Sequence, residues 1–131
     1  MTATTAGNGI ADYQFDAIYI DGEWRPGQSE KAIENRNPWN DHVIGSIVGA
    51  DACDVDVAYA AAKTNQPVWA SCLPGERAEV FRRVARIMEM RRTEIQSWLV
   101  REAGSTLAKA QLEWWAVHNA ILEAATLPSR N

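Results

Sequence analysis

The sequence predicts an α+β fold, in which a β-hairpin arm is followed by three to four α-helices. Apolar and polar residues alternate up to Gly49, and beyond it the apolar residues recur with the helical period of about 3.6. Turn and cap residues separate the segments. With 131 residues, of which 47% are hydrophobic and 23% charged, the chain has ordinary globular composition. We expect a flexible tail over residues 1–15, the arm over 16–50 and a helical segment over 51–131.

The first hairpin is predicted around Asp21-Gly22. Ile18 and Ile20 alternate with Tyr19 before this pair, and Trp24 follows it in the return strand. Asp-Gly favours a two-residue type I′ turn because glycine adopts positive φ without steric cost.

A second strand pair is predicted over Ala32–Asn37 and Val43–Val48, with a turn of sequence PWNDH between them. If the second strand is regular, Val43, Gly45 and Ile47 share one face. The first 50 residues therefore form the arm.

The first helix is predicted to begin after Asp51, which with Asp54 provides cap residues. Its pattern continues through Ala62 or slightly beyond, and Pro67 is expected to end it because proline lacks the backbone N–H.

Further helices follow. Pro74 suits the first turn of the second helix, a break is expected over Arg91–Thr93, and Gly104 ends the third pattern. The last helix is predicted from about Thr106 to Ala125. Its broad apolar face contains Leu107, Ala110, Trp114, Val117, His118, Ile121 and Ala125.

The charge of the chain argues against a nucleic-acid partner or an anionic membrane, since the net charge is −4 and the pI is near 5.1. Arg82, Arg83 and Arg86 alternate with Glu79 and Glu89, which predicts a mixed-sign solvent face instead of a basic patch. No apolar run approaches the roughly 20 residues of a membrane span, and the first residues do not resemble a secretory signal. We therefore expect a cytoplasmic protein.

The residues themselves do not predict an active site. Cys53 lies near a helix start, but the acidic residues around it oppose a thiolate, and Cys72 is expected to be a small packed side chain. Both cysteines are expected to be reduced and unpaired. His118 is expected to be a partly buried structural residue because no orienting carboxylate shares the centre of its face. The histidines and cysteines are too far apart in sequence to predict a metal site.

The order of motifs resembles the N-terminal part of the aldehyde dehydrogenase superfamily. YIDGEW is similar to the family's opening hairpin, and Asn37-Pro38 to its next turn. DVDVAYAAA is similar to the following helix, which leads to a single tryptophan, here Trp69. Arg77-Ala78 and the sequence REAGS complete the order, which continues into the helix that contains Glu113. The pattern is most similar to members that act on aromatic aldehydes, of the benzaldehyde and vanillin type.

The resemblance implies an aldehyde dehydrogenase-like α/β fold whose dinucleotide-binding core is missing from this chain. The family oxidises aldehydes to acids with NAD or NADP, using a cysteine nucleophile and a glutamate that belong to later parts of its chain. Cys53, Cys72 and Glu102 match none of those motifs. We therefore assign no catalytic, cofactor-binding or metal-binding residue, and we expect this chain alone to be inactive and to bind no cofactor.

The resemblance also implies partners, namely the remainder of the dehydrogenase fold and, in full-length form, further copies of the protein. The stretch with Trp114, Trp115 and His118 resembles the helix beside the family's substrate entrance. The sequence departs from the family at Trp39-Asn40-Asp41, where another turn geometry is expected, and at Ser105. A non-catalytic helical interaction module, or the remnant of a truncated gene, is the alternative. In either case, apolar faces with Trp98, Trp114, Val117 and Ile121 are expected to lack partner surface.

Overall fold

The computed structural model describes the backbone of residues 4–6, 10–12 and 17–130, and the side chains of residues 17–130. The described residues form an α+β chain, as the sequence predicts. The chain divides into two compact units, Met1–Pro67 and Val68–Asn131.

Two short strands, β1 (Thr4–Ala6) and β2 (Ile10–Asp12), form an antiparallel pair. They lie within residues 1–15, for which the sequence predicts a flexible tail. The other residues of that stretch lie outside the described residues, so the flexibility of the tail stays a prediction.

The first hairpin consists of β3 (Ile18–Ile20) and β4 (Glu23–Arg25). Asp21 and Gly22 have φ angles of 53° and 84°, the two positive values that a type I′ turn requires. The predicted turn is therefore confirmed. Tyr19 pairs with Trp24 across the strands, with ring centroids 5.1 Å apart.

The second hairpin consists of β5 (Ala32–Arg36) and β6 (Val43–Val48). Asn35 pairs with Gly45, whereas Arg36 pairs with Val43, so Ile44 is an extra residue in the ladder. This irregularity interrupts the strict alternation of faces that the sequence predicts for β6. The turn between the strands contains Asp41 at a φ of 57°.

The first helix, α1, spans Ala52–Ser71. Asp51 and Asp54 form a reciprocal cap: the Asp51 carboxylate accepts from the Asp54 N–H at 2.9 Å, and the Asp54 carboxylate accepts from the Asp51 N–H at 3.3 Å. The predicted end at Pro67 is wrong, because α1 continues for one further turn. Proline removes a single helical hydrogen bond; residues 68–71 are all exposed, so burial does not explain the extra turn.

The remaining helices are α2 (Pro74–Met90), α3 (Arg92–Ala103) and α4 (Leu107–Ala124), followed by a 3₁₀ turn over Leu127–Ser129. Three predicted boundaries are confirmed, whereas the break expected over Arg91–Thr93 is limited to Arg91. Pro74 starts α2, Gly104 ends α3 in the left-handed conformation with a φ of 63°, and Thr106 caps α4 through its side chain.

The core of the second unit lies where α4 packs against α2 and α3. Small residues allow the helices to approach closely, and one large aromatic ring fills the space between them. Two members of the predicted apolar face of α4, Leu107 and Val117, are instead exposed. The buried hydrophobic residues of this unit are Ala78, Ala85, Ala110, Trp114 and Ala125.

The charged face of α2 is mixed in sign, as predicted. Glu79 forms ion pairs with Arg82 at 3.6 Å and with Arg86 at 2.7 Å, while Glu89 pairs with Arg92 at 3.8 Å. These side chains are about half exposed. No helix of the described residues combines the length and apolar character that a membrane crossing requires.

Candidate functional site

The three residues that resemble a substrate-entrance helix have different environments on α4. Trp114 is 4% exposed, whereas the adjacent Trp115 is 59% exposed. The His118 side chain lies between these extremes at 19%. Trp114 is therefore part of the core, and only Trp115 and His118 present surface in this chain.

Trp114 is held by contacts on several sides. Its indole Nε1 donates to the Met88 carbonyl at 3.4 Å, which is a long hydrogen bond. The His118 ring stacks on the indole at a centroid distance of 4.8 Å and an interplanar angle of 16°. The Arg92 guanidinium lies 4.4 Å from the centroid of the same indole. These contacts fix the side chain at the junction of three helices.

The carboxylate nearest to His118 comes from another helix. Glu89 Oε2 lies 4.0 Å from His118 Nε2, which is too long for a hydrogen bond. The sequence analysis looked for a carboxylate on the same helix face as His118, and it missed Glu89 because that residue is on α2. No sequence signal marks that proximity, which depends on how the two helices pack. In the structure Glu113 pairs with Lys109.

The arrangement around His118 is suited to packing. It stacks on the Trp114 indole, and the Glu89 carboxylate is too far away to orient the imidazole through a hydrogen bond. This is the partly buried position that the sequence predicts for His118.

A second polar centre lies in the first unit at Asp54, whose carboxylate is fully buried. It accepts from the Gln28 N–H at 2.8 Å, the Gln28 side-chain amide at 3.0 Å and Arg25 Nη2 at 3.1 Å, in addition to the Asp51 N–H. The hydrogen bonds from Gln28, with the charge of Arg25, hold the pKa of Asp54 below its ordinary value. Asp54 is therefore an anion that joins the β4–β5 loop to α1, with its oxygens already occupied.

The cysteines lie in positions that do not favour nucleophilic chemistry. Cys53 is exposed in the first turn of α1, next to the buried carboxylate of Asp54. Cys72 is half-buried, and its Sγ donates to the Val68 carbonyl at 3.4 Å. Among the described residues, no group of three or more His, Cys, Asp or Glu side chains could hold a metal ion.

An open groove of about 470 Å³ lies in the second unit. Its wall is mainly apolar, but it contains two guanidinium groups, those of Arg77 and Arg130. The Arg77 Nε nitrogen is buried and has no hydrogen-bond acceptor among the described residues. The residues that line the groove are Trp69, Arg77, Phe81, Ala124, Leu127, Pro128 and Arg130.

The profile of the aldehyde dehydrogenase family matches residues 24–130. The chain therefore belongs to the aldehyde dehydrogenase family, and the resemblance inferred from its motifs is confirmed. Some of the proteins to which the chain is similar are named for aromatic aldehydes. The chain is 40% identical over 130 residues to a vanillin dehydrogenase of Corynebacterium glutamicum, a match over 99% of this chain and 26% of the relative. It is 34% identical over 121 residues to a benzaldehyde dehydrogenase of Bacillus subtilis, covering 90% of this chain and 25% of that protein.

Solved structures agree with these relatives. An NAD-dependent benzaldehyde dehydrogenase from Corynebacterium glutamicum superposes with a TM-score of 0.87 at 39% identity, over 92% of this chain and 26% of that one. The chain thus corresponds to the N-terminal part of the family fold, and it spans about a quarter of the length of the relatives it matches.

Proposed function

We propose that this chain is the N-terminal segment of an NAD(P)-dependent aldehyde dehydrogenase that oxidises an aromatic aldehyde to the carboxylic acid. The observation that carries the proposal is the family match over residues 24–130. Two relatives, a vanillin dehydrogenase and a benzaldehyde dehydrogenase, support the aromatic substrate class. The NAD-dependent benzaldehyde dehydrogenase structure supports a nicotinamide cofactor for the whole protein.

The segment alone is expected to be inactive. It corresponds to about a quarter of its relatives, and neither of its cysteines has the environment of a nucleophile. Its contribution is structural: it supplies the hairpin arm and the helices against which the remainder of the dehydrogenase packs. NAD or NADP binds to that remainder. The cytoplasmic location and the homo-oligomeric state of the full-length protein stay predictions from the sequence.

The test compares the 131-residue chain with the chain joined to the sequence encoded downstream of Asn131. Each protein receives benzaldehyde or vanillin with NAD⁺ or NADP⁺, and formation of the reduced cofactor is followed by absorbance. We expect turnover only in the joined protein. Turnover by the 131-residue chain that survives the double substitution Cys53→Ser and Cys72→Ser would contradict the placement of the nucleophile outside this segment.

The alternative, a non-catalytic interaction module, is favoured by one observation. Helix α4 exposes apolar side chains that would suit a protein partner, with Leu112 63% and Val117 52% exposed in addition to Trp115. A stop codon directly after Asn131 favours the module or a gene remnant. A reading frame that continues, with a glycine-rich cofactor turn and a later cysteine in a glycine-rich loop, favours the dehydrogenase.

A further inference from the structure

The groove of the second unit combines an apolar wall with two arginines, of which Arg130 is paired with Glu123. Trp69, Phe81 and Leu127 contribute apolar surface, and Arg77 and Arg130 contribute guanidinium groups. No acidic side chain is present among the residues that line it. A ligand that fits this groove is therefore an anion attached to an apolar group.

The two arginines differ in what they contact. Arg130 donates to Glu123 at 2.6 Å at the exposed rim. The Arg77 side chain is half-buried, and its Nε nitrogen is fully buried. No acceptor for this nitrogen is present in the described part of the chain. A buried donor of a charged group without a partner is disfavoured, and native proteins rarely retain one.

Arg77 lies in the first turn of α2, where its backbone N–H donates to the Leu73 carbonyl at 3.1 Å. The Glu76 carboxylate accepts from the Leu73 N–H at 2.8 Å and offsets the positive end of the helix dipole, so the attraction for an anion comes from the guanidinium of Arg77 itself. Because Nε is buried, a ligand in the groove would reach this guanidinium through its two Nη nitrogens, which form a planar fork that matches the two oxygens of a carboxylate.

We propose that the Arg77 groove binds the carboxylate of an Asp or Glu side chain with apolar neighbours, carried by the part of the dehydrogenase outside this chain. The proposal rests on the proposed function, because the chain corresponds to about a quarter of its relatives. Charge complementarity selects an acidic residue, and the aromatic and aliphatic wall selects its apolar flanks. The groove thus marks a docking point for the rest of the fold.

The experiment uses the 131-residue chain and a short blocked peptide, acetyl-Leu-Glu-Leu-amide, with acetyl-Leu-Gln-Leu-amide as the neutral control. Nuclear magnetic resonance follows the side-chain Nε–Hε resonance of Arg77 and the indole N–H of Trp69. We expect the glutamate peptide to shift both resonances saturably and the glutamine peptide to leave them unchanged. Benzoate is titrated in a separate arm to represent a free aromatic acid.

Variants of the chain identify the residue responsible. Arg77→Gln should abolish the Trp69 response, and Arg77→Lys should weaken it because lysine keeps the charge without the fork. Arg82→Gln is the matched control on the same helix, and its response should equal that of the unsubstituted chain. Far-ultraviolet circular dichroism checks that each variant is folded; if Arg77→Gln is not, the Arg77→Lys comparison decides.

Three results would overturn the proposal. They are equal shifts from the two peptides, an undiminished Trp69 response in the folded Arg77 variants, and binding of benzoate without binding of the glutamate peptide. The last result would assign the groove to a free acid. Because the readout is binding to the chain alone, failure here is distinct from failure of the dehydrogenase proposal, which is judged by cofactor reduction in the joined protein.

Discussion

Trp114 and Trp115 are neighbours on one helix, and the structure predicts opposite consequences for their replacement by alanine. Trp114 is 4% exposed and Trp115 is 59% exposed. Trp114→Ala removes a buried aromatic ring from the junction of α2, α3 and α4 and leaves a cavity, a change that costs about 3–5 kcal/mol of unfolding free energy. The same substitution at position 115 removes mostly solvated surface and introduces a better helix former, so we expect a cost of about 1 kcal/mol or less.

The magnitude for Trp114 follows from the area that the ring buries. A buried aromatic side chain removes about 150–250 Å² from water, which at about 25 cal/mol per Å² gives about 4–6 kcal/mol as an upper bound. The alanine methyl retains a small part of that burial. Trp114→Phe keeps most of the ring but removes the indole N–H that donates to Met88, so its cost should be clearly smaller than that of Trp114→Ala.

The assay is equilibrium unfolding in urea, followed by far-ultraviolet circular dichroism because tryptophan substitutions alter fluorescence directly. With a urea dependence of about 1–3 kcal/mol per molar, Trp114→Ala should lower the midpoint by at least about 1 M. Equal costs at the two positions, or a larger cost at Trp115, would refute the assignment of Trp114 to the core. That outcome would return Trp114 to the candidates for a surface that contacts substrate.

Two further predictions concern the close backbone approach at Gly27 and the buried carboxylate of Asp54. Gly27→Ala should destabilise the chain by about 1–3 kcal/mol, since overpacking has that cost and the new Cβ would lie 2.2 Å from the Gly49 carbonyl oxygen. Gly75→Ala is the control in the same urea assay, and it should be neutral or stabilising because nothing lies within 4 Å of the new methyl. Similar losses of stability in the two variants would contradict the close approach at Gly27. For pH, the lowered pKa of Asp54 means that its stabilisation is present above the ordinary value of 3.8 and is lost as the pH falls through the folded value. Asp54→Asn should therefore lower the urea midpoint at neutral pH, and this difference from the unsubstituted chain should disappear in acid. Asp56→Asn, at an exposed position on α1, is the control and should match the unsubstituted chain at both pH values. A difference for Asp54→Asn that does not change with pH would count against the ionic contribution.

Local patterns in the sequence were sufficient for most of the secondary structure. The Asp21-Gly22 turn was predicted because glycine and aspartate tolerate positive φ, and that preference acts within the turn itself. Gly104 ended α3 for the same reason. The prediction failed at Pro67 because a proline removes one helical hydrogen bond without forcing the helix to end; the extra turn carries Trp69, which remains 44% exposed. The extra residue at Ile44 was not predictable from alternation alone.

The contacts of the candidate sites were less predictable. The sequence identified His118 as a partly buried residue, but it could not identify Glu89 as its nearest carboxylate. It placed Asp54 at a helix cap, but not as the acceptor for Arg25 at the end of β4 and Gln28 in the loop after it. Each of these contacts joins segments that are distant along the chain, and residue spacing contains no information about which side chains meet there.

The sequence by itself determined the family and the order of the two hairpins and the helices that follow them, and it marked Trp114, Trp115 and His118 of α4 as candidates for a substrate entrance. Those properties depend on motif order and on short-range preferences for turns, caps and helical periodicity. Only the tertiary structure decided that Trp114 is buried while Trp115 is exposed, and that the Arg77 guanidinium carries a buried nitrogen without an acceptor in the described residues. Burial and charge compensation depend on the atoms that surround a side chain in space, and these come from helices whose packing is a property of the whole fold.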